Sequence, residues 1–203
     1  SFNHSIIQSF NHSIIQSFIH FLVGFMYQDV LDFWFNEIEP KKWFQKDLDF
    51  DKSIQARFGA LHQQAIQGEL FSWRDTAQGA LAEIIVLDQF SRNLYRDQAE
   101  SFAADPMALA LAQTAIDKGF DKALSSSERS FLYMPYMHSE SVLIHEMAVV
   151  LFTTLETSNT LEFELKHKKI VDRFGRYPHR NTILGRTSSA EELVFLQEPN
   201  SSF

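Results

Sequence analysis

Arginine, histidine and carboxylate side chains are set into three otherwise apolar stretches of this chain. Ile84–Asn93 reads IIVLDQFSRN and holds Asp88, Gln89, Arg92 and Asn93. Glu128–Glu140 reads ERSFLYMPYMHSE and holds Arg129, Tyr133, Tyr136, His138 and Glu140. Arg173–Arg186 reads RFGRYPHRNTILGR and holds Arg173, Arg176, His179, Arg180, Asn181 and Arg186. An arginine fork matches a carboxylate or phosphate, and a histidine that titrates near neutrality can move a proton beside it. These residue types point to an anionic small molecule or a carboxylate-bearing peptide end. Asp88, Gln89, Arg92, Asn93, Arg129, Tyr133, Tyr136, Arg173, Arg176, Arg180, Asn181 and Arg186 are the candidate ligand-binding residues. His138, Glu140 and His179 are the candidates for acid–base chemistry.

Charge is concentrated between Lys166 and Arg186, a segment that includes the third stretch. Lys166, Lys168, Lys169, Arg173, Arg176, Arg180 and Arg186 stand against Asp172 alone, in a chain of net charge −8. Arg173 and Arg176 sit where cations offset the negative end of a helix dipole, an account that covers Arg180 and Arg186 less well. Gly175 ends a helix, Pro178 restricts Tyr177 to extended geometry and Asn181 suits a turn, so a rigid loop is expected here.

Each group also has a structural use. Asp88 and Arg92, four residues apart, share a helix face and can pair there. Arg129, Tyr133, Tyr136 and Glu140 fall on one helical stripe that either lines a pocket or ties helices together, with Pro135 interrupting it. In a purely structural arrangement the arginines pair with Asp88, Glu140, Glu191 and Glu192, and the protein is a helical scaffold that binds protein segments.

The elements that must position these residues read as helices. Asp29–Ile38 is dense in large apolar groups and belongs in a core. An Asp-rich start near Asp49 or Asp51 leads into a helix with Ile54, Phe58, Leu61 and Ile66, closed by Gly68. Thr76–Asn93 carries Leu81, Ile84, Ile85, Leu87 and Phe90. Asp105-Pro106 supplies an N-cap and a first-turn proline, and Ser125–Glu128 a capping box for a helix expected to kink or restart at Pro135. Helices near Ser139–Glu156 and Leu161–Phe174 follow, and Ser188–Glu191 opens a short last one. The pattern predicts an all-α fold of antiparallel helical hairpins joined by short loops.

Composition narrows the function classes. With 45% hydrophobic residues and 20 phenylalanines, residues 26–203 are expected to form a single all-α domain. There is no cysteine, so disulfides, thiol nucleophiles and thiolate zinc sites are excluded, and a reducing cytoplasm is the expected location. Net negative charge argues against broad, nonspecific nucleic-acid binding, and no specific nucleic-acid partner is expected. Glu164-x-x-His167 has di-iron spacing without a second copy, His145-Glu146 meets Val149 where a zinc protease needs histidine, and His138-Ser139-Glu140 lacks the deaminase cysteines. No metal, cofactor or membrane association is expected, and the pattern sets no oligomeric state.

Ser1–Gln8 repeats unchanged at Ser9–Gln16. Residues 1–25 are therefore read as a repetitive extension outside the native fold, with Met26 as the native start.

Seven blocks in order carry a family resemblance: VLDFWF (Val30–Phe35), LDQFSRN (Leu87–Asn93), SFAADPMALALA (Ser101–Ala112), RSFLYMPYMHSE (Arg129–Glu140), RFGRYPHRN (Arg173–Asn181), LGR (Leu184–Arg186) and SSAEELVFL (Ser188–Leu196). Together they resemble the bacterial domain of unknown function 924 family, grouped with tetratricopeptide-like helical proteins, over Tyr27–Leu196. The sequence departs from that pattern at Ser91, where the family usually has proline, and at Ser189-Ala190, where it often has threonine-proline. The resemblance implies a tetratricopeptide-like right-handed array and a bacterial source, and it implies no activity.

Overall fold

The computed structural model describes residues 7–8, 14–15, 27–156 and 158–203. Apart from residues 7–8 and 14–15, the segment read as an extension, together with the proposed start at Met26, lies outside them. Among the described residues the regular structure is helical and contains no strand. Helix α1 covers residues 27–32 and continues as a π turn, Phe33–Glu37. Then come α2 (Leu48–Ile66), α3 (Ala77–Ile85), α4 (Asp105–Asp117), α5 (Ser126–Met137), α6 (Val142–Thr153), α7 (Ser158–Phe174) and α8 (Ala190–Phe195).

Local chemistry explains most boundaries. Asp47 caps α2 by accepting from the N–H groups of Asp49 and Phe50, two residues ahead of the expected start. Capping boxes open α5, at Ser125 with Glu128, and α8, at Ser189 with Glu192. Two expectations are corrected. Helix α5 runs unbroken through Pro135 to Met137, without a restart, because the proline lies in its final turn. Asp105 is the first residue of α4 rather than its cap, and its carboxylate is turned to arginines instead.

Helix α3 does not continue regularly to Asn93. It passes through a π turn, Val86–Phe90, into Ser91–Leu94. Such turns insert one extra residue into a helix and re-aim the side chains that follow. Here the turn carries Asp88.

Consecutive helices pack on one another: α4 on α5, α5 on α6, α6 on α7, with α3 against both α4 and α5. The main core is aromatic at one end. Trp34 lies edge-on to Phe90 and Phe131 at 5.7 and 5.6 Å, and Phe33 packs on Phe58 at 5.0 Å. Edge-to-face pairs of this kind add to what burial alone supplies. A second, smaller apolar cluster stands apart, made of Ile170, Val171, Tyr177 and Phe195 with Phe174 against it. Between the two clusters lies a seam of polar side chains.

Candidate functional site

Three elements meet at the seam: the π turn after α3, the turn between α5 and α6, and the loop after α7. The loop leaves α7 at Gly175 and turns again at Gly185, both with φ near +70° (69° and 66°), a conformation open to glycine at little cost. Between them Tyr177 is extended and Pro178–Arg180 forms one 3-10 turn.

Asp88 is fully buried, and its two oxygens face different donors. Oδ1 lies 2.7 Å from His138 Nδ1, and Oδ2 accepts from the Gln89 amide at 2.7 Å. Arg92 donates to the Asp88 carbonyl at 2.9 Å and stands 3.5 Å from Oδ1. Burial alone would raise the Asp88 pKa, but the charge His138 carries when protonated at low pH, the Arg92 charge and the hydrogen bonds from His138 and Gln89 outweigh it and lower the pKa to about 2. Burial and the Arg92 charge push the His138 pKa down, against the pull of Asp88. A neutral imidazole facing an ionised carboxylate carries its proton on Nδ1. Nε2 is left as a lone pair, with no protein partner among the described residues.

Arg92 grips Asp105 with both terminal nitrogens, at 2.8 and 3.0 Å. Arg180 shares the same carboxylate at 3.5 Å and donates to the His138 carbonyl at 3.1 Å. Its guanidinium lies between the rings of Phe102 and Tyr177, 4.4 and 4.6 Å from their centroids. Those faces attract the cation electrostatically. Burial and the neighbouring Arg92 lower its pKa, and its Nε is buried without a partner.

Glu140 is held by three donors. Arg186 reaches its two oxygens at 2.7 and 2.8 Å, and the Tyr177 N–H adds a third bond at 2.7 Å. Burial would raise its pKa, yet these donors and Arg180 hold it below the usual carboxylate range. A carboxylate so engaged is a latch. Arg186 also donates to Asn181 Oδ1 at 2.9 Å and to the Tyr177 carbonyl at 3.1 Å. His179, half-buried, has its pKa pushed down to about 4 by burial and by Arg180, and its Nδ1 is unpartnered.

The structure thus brings Asp88, Gln89, Arg92, His138 and Arg180 together and ties Glu140, Asn181 and Arg186 beside them. Most of the remaining candidates are engaged elsewhere. Asn93 bonds Asp51 at 2.8 Å, alongside Arg96. Tyr133 donates to Asp121 at 2.9 Å, Tyr136 is buried in the core, and among the described residues the buried Nε of Arg129 has no hydrogen-bond partner. The stripe expected from Arg129 to Glu140 is therefore divided: Glu140 lies beyond the end of α5 and turns to the C-terminal loop. Arg173 pairs with Glu191 at 2.9 Å, and Arg176 grips Glu192 at 2.7 and 2.8 Å. Glu192 is held at about 2 chiefly by the Arg176 hydrogen bonds.

Sequence reasoning missed Asp105, Tyr177, His145 and Glu164. Asp105 looked like a cap because it precedes proline. His145 and Glu164 were weighed only as metal motifs, yet they face each other at 2.6 Å, fully buried. Among the described residues no group of three His, Cys, Asp or Glu side chains is arranged to hold a metal ion. Nor is any described helix long and apolar enough to cross a membrane.

Fold and site define an all-α protein with an arginine–carboxylate seam between two apolar clusters. The chain belongs to the family described as bacterial protein of unknown function (DUF924), whose model matches residues 30–200. A solved structure of a protein of unknown function from Agrobacterium tumefaciens is similar at 39% identity, with a TM-score of 0.83, covering 87% of this chain and 99% of that one. Comparison with curated proteins gave no match.

Proposed function

We propose that His138 is the centre of a site for an anionic small molecule, with Arg92 and Arg180 as its cations and Nε2 as acceptor of a hydrogen bond or a proton. The observation that carries this reading is the Asp88–His138 pair. A buried, ionised carboxylate holds Nδ1–H and leaves Nε2 unpartnered. Carboxylate-oriented imidazoles are poised for proton transfer, and the helix distortion that places Asp88 is of a kind found at working sites. Arg180 shares the Asp105 carboxylate with Arg92, which also stands 3.5 Å from Asp88, so an incoming anion competes with Asp105 for these two guanidinium groups. A carboxylic acid or a phosphorylated metabolite suits that pair.

The test is a thermal-shift panel of carboxylic acids, phosphorylated metabolites and nucleotides on the wild type and His138→Asn. Asparagine keeps a donor at the Nδ1 position for Asp88 and removes Nε2. A ligand that binds only the folded state raises its melting temperature. At least one panel member is expected to do so in the wild type and to fail in the folded His138→Asn. A shift of equal size in both proteins, or none in either, overturns the proposal.

A second reading is favoured by one observation: Arg173, Arg176 and Arg186 are each paired with a carboxylate. On that reading the arginines are structural and the protein is a tetratricopeptide-like scaffold for protein segments. A flat response across the panel favours it.

A further inference from the structure

The turn that carries His138 is bound carbonyl by carbonyl from other parts of the chain. A helix end leaves its last carbonyls without helical partners. At the end of α5 the Met137 carbonyl accepts from the Tyr177 hydroxyl at 2.5 Å. The His138 carbonyl accepts from Arg180 at 3.1 Å, and the Ser139 carbonyl from His145 Nε2 at 2.7 Å. Side chains from α6 and from the loop after α7 therefore fix three successive peptide units. The central one bears the ring that must meet Asp88.

Of the three donors, His145 is the one whose direction depends on another residue. A carbonyl can only accept, so Nε2 must carry a proton. Nδ1 then faces Glu164 Oε1 at 2.6 Å with a single proton between them, and both side chains are fully buried. Whichever atom holds that proton, the pair has no net charge, which spares it the cost of a lone buried ion. Among the described residues Glu164 Oε2 has no partner, as befits the carbonyl oxygen of a protonated acid better than a carboxylate. Burial, opposed by His145, raises the Glu164 pKa in the same sense. Glu164 thereby sets the tautomer of His145, and the tautomer sets which carbonyl is held. Tyr177 closes the arrangement, its hydroxyl 3.1 Å from the same Nε2.

We propose that the buried Glu164–His145 pair, with Tyr177, is a positioning element for His138: by holding the Ser139 and Met137 carbonyls it keeps the His138 ring on Asp88. This rests on the reading of His138 as the acceptor of the site.

The experiment records the imidazole nitrogen spectrum of His138 in the ligand-free full chain, for the wild type and for Glu164→Leu, Glu164→Gln and Tyr177→Phe, beside a thermal melt of each. The wild type is expected to show one tautomer, protonated on Nδ1. Glu164→Leu, still melting cooperatively, should lose it to a mixture, and Glu164→Gln should restore it, because the amide N–H can donate to His145 Nδ1 as the acid does. A folded Glu164→Leu with the wild-type His138 spectrum overturns the proposal, as does a Glu164→Gln spectrum as disturbed as that of leucine. Should Glu164→Leu fail to fold, Tyr177→Phe carries the test, since it removes one hydroxyl and leaves the ring. An unchanged His138 spectrum there is equally fatal. Because no ligand is present, a flat panel with a disturbed Glu164→Leu spectrum sinks the binding reading and leaves the positioning role standing.

Discussion

The two apolar clusters hold together by different physics. Around Trp34, Phe90 and Phe131 the contacts are aromatic edges and faces at 5.6–5.7 Å. Most of their stabilisation scales with area removed from water and has no preferred direction, and the edge-to-face geometry adds a smaller part. The C-terminal cluster around Tyr177 and Phe195 is small, and it is fastened to the rest through Glu140, Asp105 and the carbonyls of the α5–α6 turn. Those contacts are directional. One missing partner there leaves a charge or a donor stranded in a place where water does not replace it, and a substitution tolerated in an aromatic core becomes costly. The difference teaches why the candidate site lies at the seam, where charged groups are already aimed and partly dry.

The contrast can be broken by mutation. Trp34→Ala removes a fully buried ring and should cost about 3–5 kcal/mol, read as a lowered urea midpoint with the slope unchanged. Next in size is Glu140→Gln. It discharges the acceptor of Arg186 and Tyr177 and should cost roughly 2–3 kcal/mol, since hydrogen bonds to charged groups exceed neutral ones. Adding Arg186→Met to that variant should cost less than the two single changes summed, because the double variant strands no charge. Additive costs would show that the latch is not a unit. Arg173→Ala should have the smallest effect, below about 1 kcal/mol, because its pair with Glu191 is exposed and screened by solvent. A loss as large as that of Glu140→Gln would erase the distinction between rim and seam.

Much of the fold was legible in the chain. The apolar periodicity of α2 and α3, the capping box at Ser125, the start of a short last helix within one residue of its Ser189 cap and the glycine stop after α7 follow from short-range rules that act within one or two turns. The candidate site was legible in its parts. Asp88 with Arg92 at helical spacing, and the basic loop with its Gly175 and Pro178, mark positions where local preference yields to something else. Their partners were hidden. Asp105 was read as a cap because one turn of sequence cannot reveal an arginine thirteen or seventy-five residues away in the chain. Nothing local ties His145 to Glu164 or to the Ser139 carbonyl, nor Tyr177 to the carbonyl of Met137.

Helices, caps and the gathering of charge into three stretches depend on neighbours a few residues apart and can be read along the chain. Which cation meets which carboxylate was settled by the packed fold. It sent Arg186 to Glu140, Arg176 to Glu192 and both Arg92 and Arg180 to Asp105, and it left Nε2 of His138 unclaimed. Ion pairs and hydrogen bonds act over a few ångströms in space whatever the separation along the chain, so their choice of partner exists only once the helices have packed.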